Sequence, residues 1–343
     1  MHMADALISP AVGGVMWTAT AALLAYSSNK LKNSQDDSRI PLMGVLGAFI
    51  FAAQMINFSI PGTGSSGHLG GGLILSALLG PHAAFLTLAS VLAVQGFFFA
   101  DGGLLAMGCN IINMGFFTCY VAYPLIYKPL TGANPSRGKL MLAAILAATI
   151  GLQMGAFGVV LETVSSGISD LPFGSFVLLM QPIHLGIGLV EGIATALLLA
   201  FLHKARPELF STAKPEQARP LRPLVAGLAL AALVVGGGLS WFASQDPDGL
   251  EWSTAKVSGK EELAAPETGI HGTLDALQKS IAFLPDYTFK AAEESKAGDG
   301  KKEPESWPNV EAGRSLSGVL GGFMTLCLAG LIGLAVRRFH AKA

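Results

Sequence analysis

The chain has 343 residues, of which 51% are hydrophobic, 13% are charged and 42 are glycine, and its formal net charge is −1. A soluble domain carries about a quarter charged residues, so that class is excluded, and the near-neutral balance removes the basic surface that nucleic-acid binding needs. The apolar residues fall in long, nearly uncharged blocks. Because a run of about 20 apolar residues crosses a bilayer as a helix, the fold class is an all-α polytopic membrane protein, in contact with membrane lipid.

Residues 1–11 contain no Lys or Arg and carry Asp5, unlike the basic start of a secretory signal, so the N-terminus is expected to be retained. Apolar blocks then predict helices near 10–28, 41–58, 71–80, 82–100, 104–127, 139–163, 175–202, 223–243 and 315–336. The third, between Gly70-Gly71-Gly72 and Gly80-Pro81, is too short to span alone and reads as a half-helix packed inside protein. Basic residues collect at Lys30, Lys32 and Arg39, at Lys128, Arg137 and Lys139, at His203, Lys204, Arg206, Arg219 and Arg222, and at Arg337, Arg338 and Lys342. With about nine transmembrane segments every cluster falls on the cytoplasmic side, which predicts an external N-terminus, a cytoplasmic C-terminus and a multi-pass protein of the cell (plasma or inner) membrane.

Two modules follow. Residues 1–205 form a seven-helix core, 206–222 a cytoplasmic linker with Pro207, Pro215 and Pro220, and 223–343 a two-helix appendage. The appendage carries a long external loop at about 244–314, rich in acidic and small residues, with Gly298-Asp299-Gly300-Lys301-Lys302 near its tip. Its composition predicts a mostly solvated segment.

Met1 and His2 carry the first chemistry. A free α-amine, the amide nitrogen of residue two and a histidine Nδ1 close adjacent five- and six-membered chelate rings, placing three nitrogens in one plane. A fourth nitrogen completes a square, the geometry favoured by Ni(II) or Cu(II), and affinity should rise with pH because the amine and amide must lose protons. His68 is the natural fourth donor. It lies in Gly62-Thr63-Gly64-Ser65-Ser66-Gly67-His68-Leu69-Gly70-Gly71-Gly72, on the same outer side as Met1. This Gly/Ser run has no helix or strand propensity and permits unusual backbone angles. The metal set is therefore Met1, His2 and His68.

Gln54, Asn57, Gln95, Asn110, Asn113 and Gln153 sit within apolar helices and are expected to hydrogen-bond between them. Asn110 and Asn113 share a face at i, i+3 and are candidates to support the metal site. His184 and Glu191 lie at i, i+7, a carboxylate–imidazole pair read as structural or as a proton relay. Gly44, Ala48 and Ala52 make a small-xxx-small face that lets another helix approach, from this chain or from a partner subunit. Cys109, Cys119 and Cys327 are read as packing residues. Gly132-Ala133-Asn134-Pro135-Ser136-Arg137-Gly138-Lys139-Leu140 only superficially suggests a phosphate loop, since Leu140 stands where Ser or Thr must hold Mg²⁺. No nucleotide motif appears elsewhere, so the chain is not expected to be an enzyme with its own ATPase, and any uphill transport would draw its energy from another subunit or from an ion gradient.

At these residues the chain resembles a known family. Met1-His2-Met3-Ala4-Asp5-Ala6-Leu7-Ile8-Ser9-Pro10, Gly67-His68-Leu69-Gly70-Gly71-Gly72, Gly80-Pro81, Asn110-Ile111-Ile112-Asn113-Met114-Gly115 and His184-Leu185-Gly186-Ile187-Gly188-Leu189-Val190-Glu191-Gly192 are similar, in order, to motifs of nickel/cobalt substrate-binding (S) components of energy-coupling factor ABC transporters, the CbiM/NikM type. Asp246-Pro247-Asp248-Gly249-Leu250-Glu251 resembles the PDGLE motif of the small N components, here fused to the C-terminus. The resemblance implies capture of Ni²⁺, or of Co²⁺ for cobalamin synthesis, as transported substrate through Met1, His2 and His68. It implies a transmembrane coupling (T) subunit and cytoplasmic ATPases as partners, with Gly44, Ala48 and Ala52 as the subunit contact. The competing reading is an autonomous proton-coupled permease with His184 and Glu191 as its relay. An intramembrane metalloenzyme would need an open coordination position and a general base beside the metal, for which four nitrogens filling a square leave little room.

Overall fold

The computed structural model describes residues 1–32, 40–132, 135–210, 220–260, 263–289 and 307–340. Arg39, Pro215, Arg219, Lys342 and the Gly298 to Lys302 tip lie outside the described residues. Each of the expected apolar blocks forms a helix: α1 (Pro10–Lys32), α2 (Ile40–Gln54), α3 (Gly72–Leu79), α4 (Pro81–Phe98), α5 (Met107–Thr131), α6 (Arg137–Ser166), α7 (Phe173–Ala205), α8 (Arg222–Gly237) and, last in the chain, α11 (Ala312–His340). By length and composition α4, α5, α6, α7 and α11 can cross a membrane, while α2 and α8 are shorter apolar helices. The third has eight residues, about 12 Å at 1.5 Å per residue. It is packed inside the bundle, with Leu73, Ile74 and Leu75 buried.

Local chemistry sets the joints. Gly80 ends α3 and Pro81 opens α4, because a proline lacks only an amide that the first helical turn leaves unused. Ser136 caps α6 by accepting the Lys139 amide. The polar helix residues bond between helices as expected: Gln95 donates to Gln54 at 2.8 Å, and Gln153 donates to the Gln181 carbonyl at 2.8 Å. The three cysteines are free thiols.

Two expectations need correction. The small-residue face of α2 is filled from within the chain rather than by a partner subunit. A Cβ at Gly44 would stand 2.8 Å from the Leu326 carbonyl oxygen of α11, and Ala48 and Ala52 pack with Ala232 of α8. The appendage helices thus lie directly on α2, where small side chains let backbones approach. The segment at 244–314 is also not simply solvated. It folds into α9 (Gly249–Ser258) and α10 (Gly269–Ile281), laid over the end of the bundle that carries Met1. His271 bonds the Ile8 carbonyl at 2.9 Å, and Gln278 donates to the Gly96 and Gly102 carbonyls at 2.8 Å each. Tyr287 donates to Asp101. Composition missed this because the binding is polar and comes from the far end of the sequence.

Candidate metal site

The N-terminal tip is fixed by main-chain bonds. Met3 donates its amide to Asn110 Oδ1 at 2.8 Å, and its carbonyl accepts from Asn110 Nδ2 at 3.2 Å and from the Gly103 amide at 2.9 Å. The Asn110 carboxamide thus pairs with the main chain as a neighbouring strand would, and Met1 and His2 extend from an anchored residue. Asn113 Nδ2 donates to Glu162 at 2.6 Å and lies 3.7 Å from the Met3 sulfur. Asp5 accepts the Ala106 amide at 2.9 Å.

The loop that carries His68 is better ordered than its composition predicts. Residues Phe58–Ile60 (β1) and Ser65–Gly67 (β2) pair antiparallel, with Ser59 opposite Ser66. The other edge of β2 meets the PDGLE segment: Ser66 donates its amide to the Pro247 carbonyl at 2.8 Å and its hydroxyl to the Asp246 carbonyl at 2.7 Å. All three β2 residues are buried, and buried main-chain groups must be paired, so partners on both sides make a strand of a sequence with little intrinsic preference for one. Further along, Gln54 donates to the Gly70 carbonyl at 3.0 Å, and Glu191 accepts the Gly71 amide at 2.9 Å.

These supports bring the Met1 amine and His68 together, with the His2 ring stacked alongside and its Nδ1 turned toward Asp101. The Met1 amine lies 3.1 Å from His68 Nε2, and the His2 and His68 rings stack with centroids 5.0 Å apart. His68 Nδ1 faces the Leu69 carbonyl at 3.2 Å. A carbonyl only accepts, so Nδ1 carries the proton and Nε2 presents its lone pair. Nitrogen donors sit about 2.0–2.1 Å from a first-row metal such as zinc, which puts neighbours on a square about 2.9 Å apart. The amine–imidazole spacing is already close to that edge.

Both terminal residues also face carboxylates. The Met1 amine donates to Asp248 Oδ2 at 2.5 Å, and His2 Nδ1 stands 3.3 Å from Asp101. The other oxygen of Asp248 caps α9, accepting the Leu250 and Glu251 amides at 2.8 and 2.9 Å. Burial pushes the Asp248 carboxyl up, but the ammonium beside it and the Glu251 amide outweigh this and hold it well below the usual carboxylate range. Burial, reinforced by the ammonium and His2, pushes the His68 imidazole well down, and burial lowers His2 against the pull of Asp101. Both rings are thus biased toward the neutral form that binds metal. Among the described residues no three His, Cys, Asp or Glu side chains are grouped to hold a metal ion, so a site here depends on main-chain nitrogen.

Beyond His2 a cavity of about 350 Å³ opens between the N-terminal segment and the appendage. Its walls include Asp5, Asp101, Asp248, Glu251, Asp275 and Asp286, with no Lys or Arg among them. His184 and Glu191 do not form the pair anticipated from their spacing. Glu191 holds the His68 loop, while His184 Nδ1 bonds the Met180 carbonyl at 2.8 Å. Sequence reasoning gave Asp248 and Asp101 no place at the site. The spacing of Asp248 and Glu251 is a capping-box signal and marks the start of α9, but nothing local in it points to Met1.

Comparison with known proteins identifies the family. Residues 2–209 match the family described as CbiM, cobalt uptake substrate-specific transmembrane region, and residues 222–338 match the PDGLE domain. A chain of the fused NikMN type from Archaeoglobus fulgidus is 30% identical over the full length of both. The fused nickel transport protein NikMN of Rhodobacter capsulatus is 31% identical over 96% of each chain. The crystal structure of a truncated transition metal transporter superposes with a TM-score of 0.53 at 28% identity, covering 60% of this chain and 99% of the other. The chain is a membrane protein that belongs to the CbiM family of cobalt uptake substrate-specific transmembrane regions, with a PDGLE domain joined to its C-terminal side.

Proposed function

We propose that the chain is the substrate-capture subunit of an energy-coupling factor importer and takes Ni²⁺ at its own N-terminus on the external side. The ligands are the Met1 amine, the amide and Nδ1 of His2, and His68 Nε2. Asn110 and Asn113 steady them through Met3. The observation that carries this reading is the 3.1 Å approach of the Met1 amine to a His68 nitrogen whose lone pair is turned toward it. Ni²⁺ stands before Co²⁺ because a planar nitrogen square suits Ni(II), and because a fused relative of full length is named as a nickel transport protein. The acid-walled cavity beside His2 favours arrival of a cation from that side. Uphill uptake draws on a transmembrane coupling subunit and cytoplasmic ATPases, since the sequence carries no nucleotide motif.

Titration of the purified chain with Ni²⁺ and Co²⁺, following bound metal and visible absorbance, tests the reading. The comparison proteins carry one extra residue before Met1, or His68→Ala. Tight Ni²⁺ binding with a yellow square-planar band, lost in both variants, is expected. Undiminished binding by the extended chain would overturn the N-terminal chelate. A clear preference for Co²⁺ would keep the site and change its cargo.

A further inference from the structure

His184 is a buried imidazole that the capture site leaves unused. It is 1% exposed, in the membrane-embedded helix α7. Its Nδ1 bonds the Met180 carbonyl, so the proton resides there and Nε2 presents a lone pair, the same arrangement as in His68. Among the described residues Nε2 has no hydrogen-bond partner, and a buried polar atom without one is costly unless something else occupies the site. His184 borders a cavity of about 10 Å³, room for one water-sized body, whose walls also include Met1, His68, Met114, Asp248 and Gly249. Gly249 is part of the fit, because a Cβ there would stand 3.0 Å from His184 Cε1 and 3.3 Å from Nε2. The PDGLE segment thus closes this cavity without filling it.

We infer that His184 Nε2 is a second metal-binding station, on the bundle side of the N-terminal nitrogens, which receives a single divalent cation of the Ni²⁺ or Co²⁺ kind from Met1 and His68. The inference rests on the capture reading above. An imidazole and a thioether such as Met114 suit a borderline cation. The imidazole holds it less firmly than the four nitrogens of the proposed square, as a hand-off requires if the ion is to move on. Met1 and His68 line the same space, so the ion changes ligands without crossing bulk water.

Two variants of the full-length chain test this, each assayed alone for Ni²⁺ binding and, assembled with its coupling and ATPase subunits, for uptake into vesicles. His184→Gln is expected to leave equilibrium Ni²⁺ binding nearly unchanged while uptake falls about tenfold or more. His184→Cys is expected to move the uptake preference from Ni²⁺ toward thiophilic Cd²⁺, which a purely structural role would not do. Normal uptake by His184→Gln with an unchanged preference in His184→Cys would mean that the cavity holds only water, and would overturn the inference. Loss of binding in parallel with uptake in both variants would overturn it too, by making His184 a support of the outer site. Failure of the capture reading is seen separately, as wild-type binding that survives an extension before Met1.

Discussion

The helix bundle and its Met1 end are built on different principles. In the bundle, α4, α6 and α7 pack apolar and small side chains, and contacts follow from helix periodicity. Gly108 of α5 is typical: a Cβ there would stand 2.6 Å from the Trp17 main-chain nitrogen of α1. At the Met1 end the contacts are polar, specific and long in sequence. Met1 meets Asp248 across 247 positions, and His271 meets Ile8 across 263. Packing of the first kind tolerates many sequences. Polar bonding of the second kind specifies one arrangement, and a single lost partner leaves a charge or dipole unpaired. The proposed capture site lies in the second region.

The sharpest way to break the comparison is Asp248→Ala. It removes the partner of a buried ammonium and the cap of α9 together, at a cost of about 3 kcal/mol for the broken pair and about 1 kcal/mol for the cap. Amide exchange across α9 should accelerate by at least a hundredfold while the thermal unfolding of the bundle holds. A matched fall in bundle stability with no local gain in exchange would show that the two regions are not separable. Gly108→Ala should do the reverse. Its methyl forces α1 from α5 and costs about 2 kcal/mol of overpacking, seen as a lower unfolding temperature with α9 exchange unchanged below the transition.

This division also explains what could be read in advance. The helices, their order and the bonding of Gln54, Gln95 and Gln153 between helices follow from hydropathy and from the cost of unpaired polar groups in a bilayer. Met1, His2 and His68 could be singled out as candidates because chelate-ring chemistry is local to two residues and needs only one further nitrogen, and the fold sets Met1 beside His68. Asp248 was not, since its ion pair with Met1 depends on how the appendage folds back, and no periodicity encodes that. The small-residue stripe of α2 was recognised as a docking face, but hydropathy cannot tell a helix of the same chain from a helix of another. The Gly/Ser loop became a strand only because two neighbours supply its hydrogen bonds.

Ser66→Ala is the smallest of these changes and refines the account of the docking. It removes the hydroxyl bond to the Asp246 carbonyl but leaves the main-chain bond from the Ser66 amide to Pro247. The carbonyl regains water at the edge of the segment, so the expected cost is about 1 kcal/mol, roughly a fivefold rise in exchange at the first amides of α9. Ni²⁺ binding should be retained, because no nitrogen of the square moves. If Ser66→Ala instead freed α9 as fully as Asp248→Ala, the appendage would be held by strand pairing to β2, and the Met1–Asp248 pair would be a consequence of docking rather than its cause.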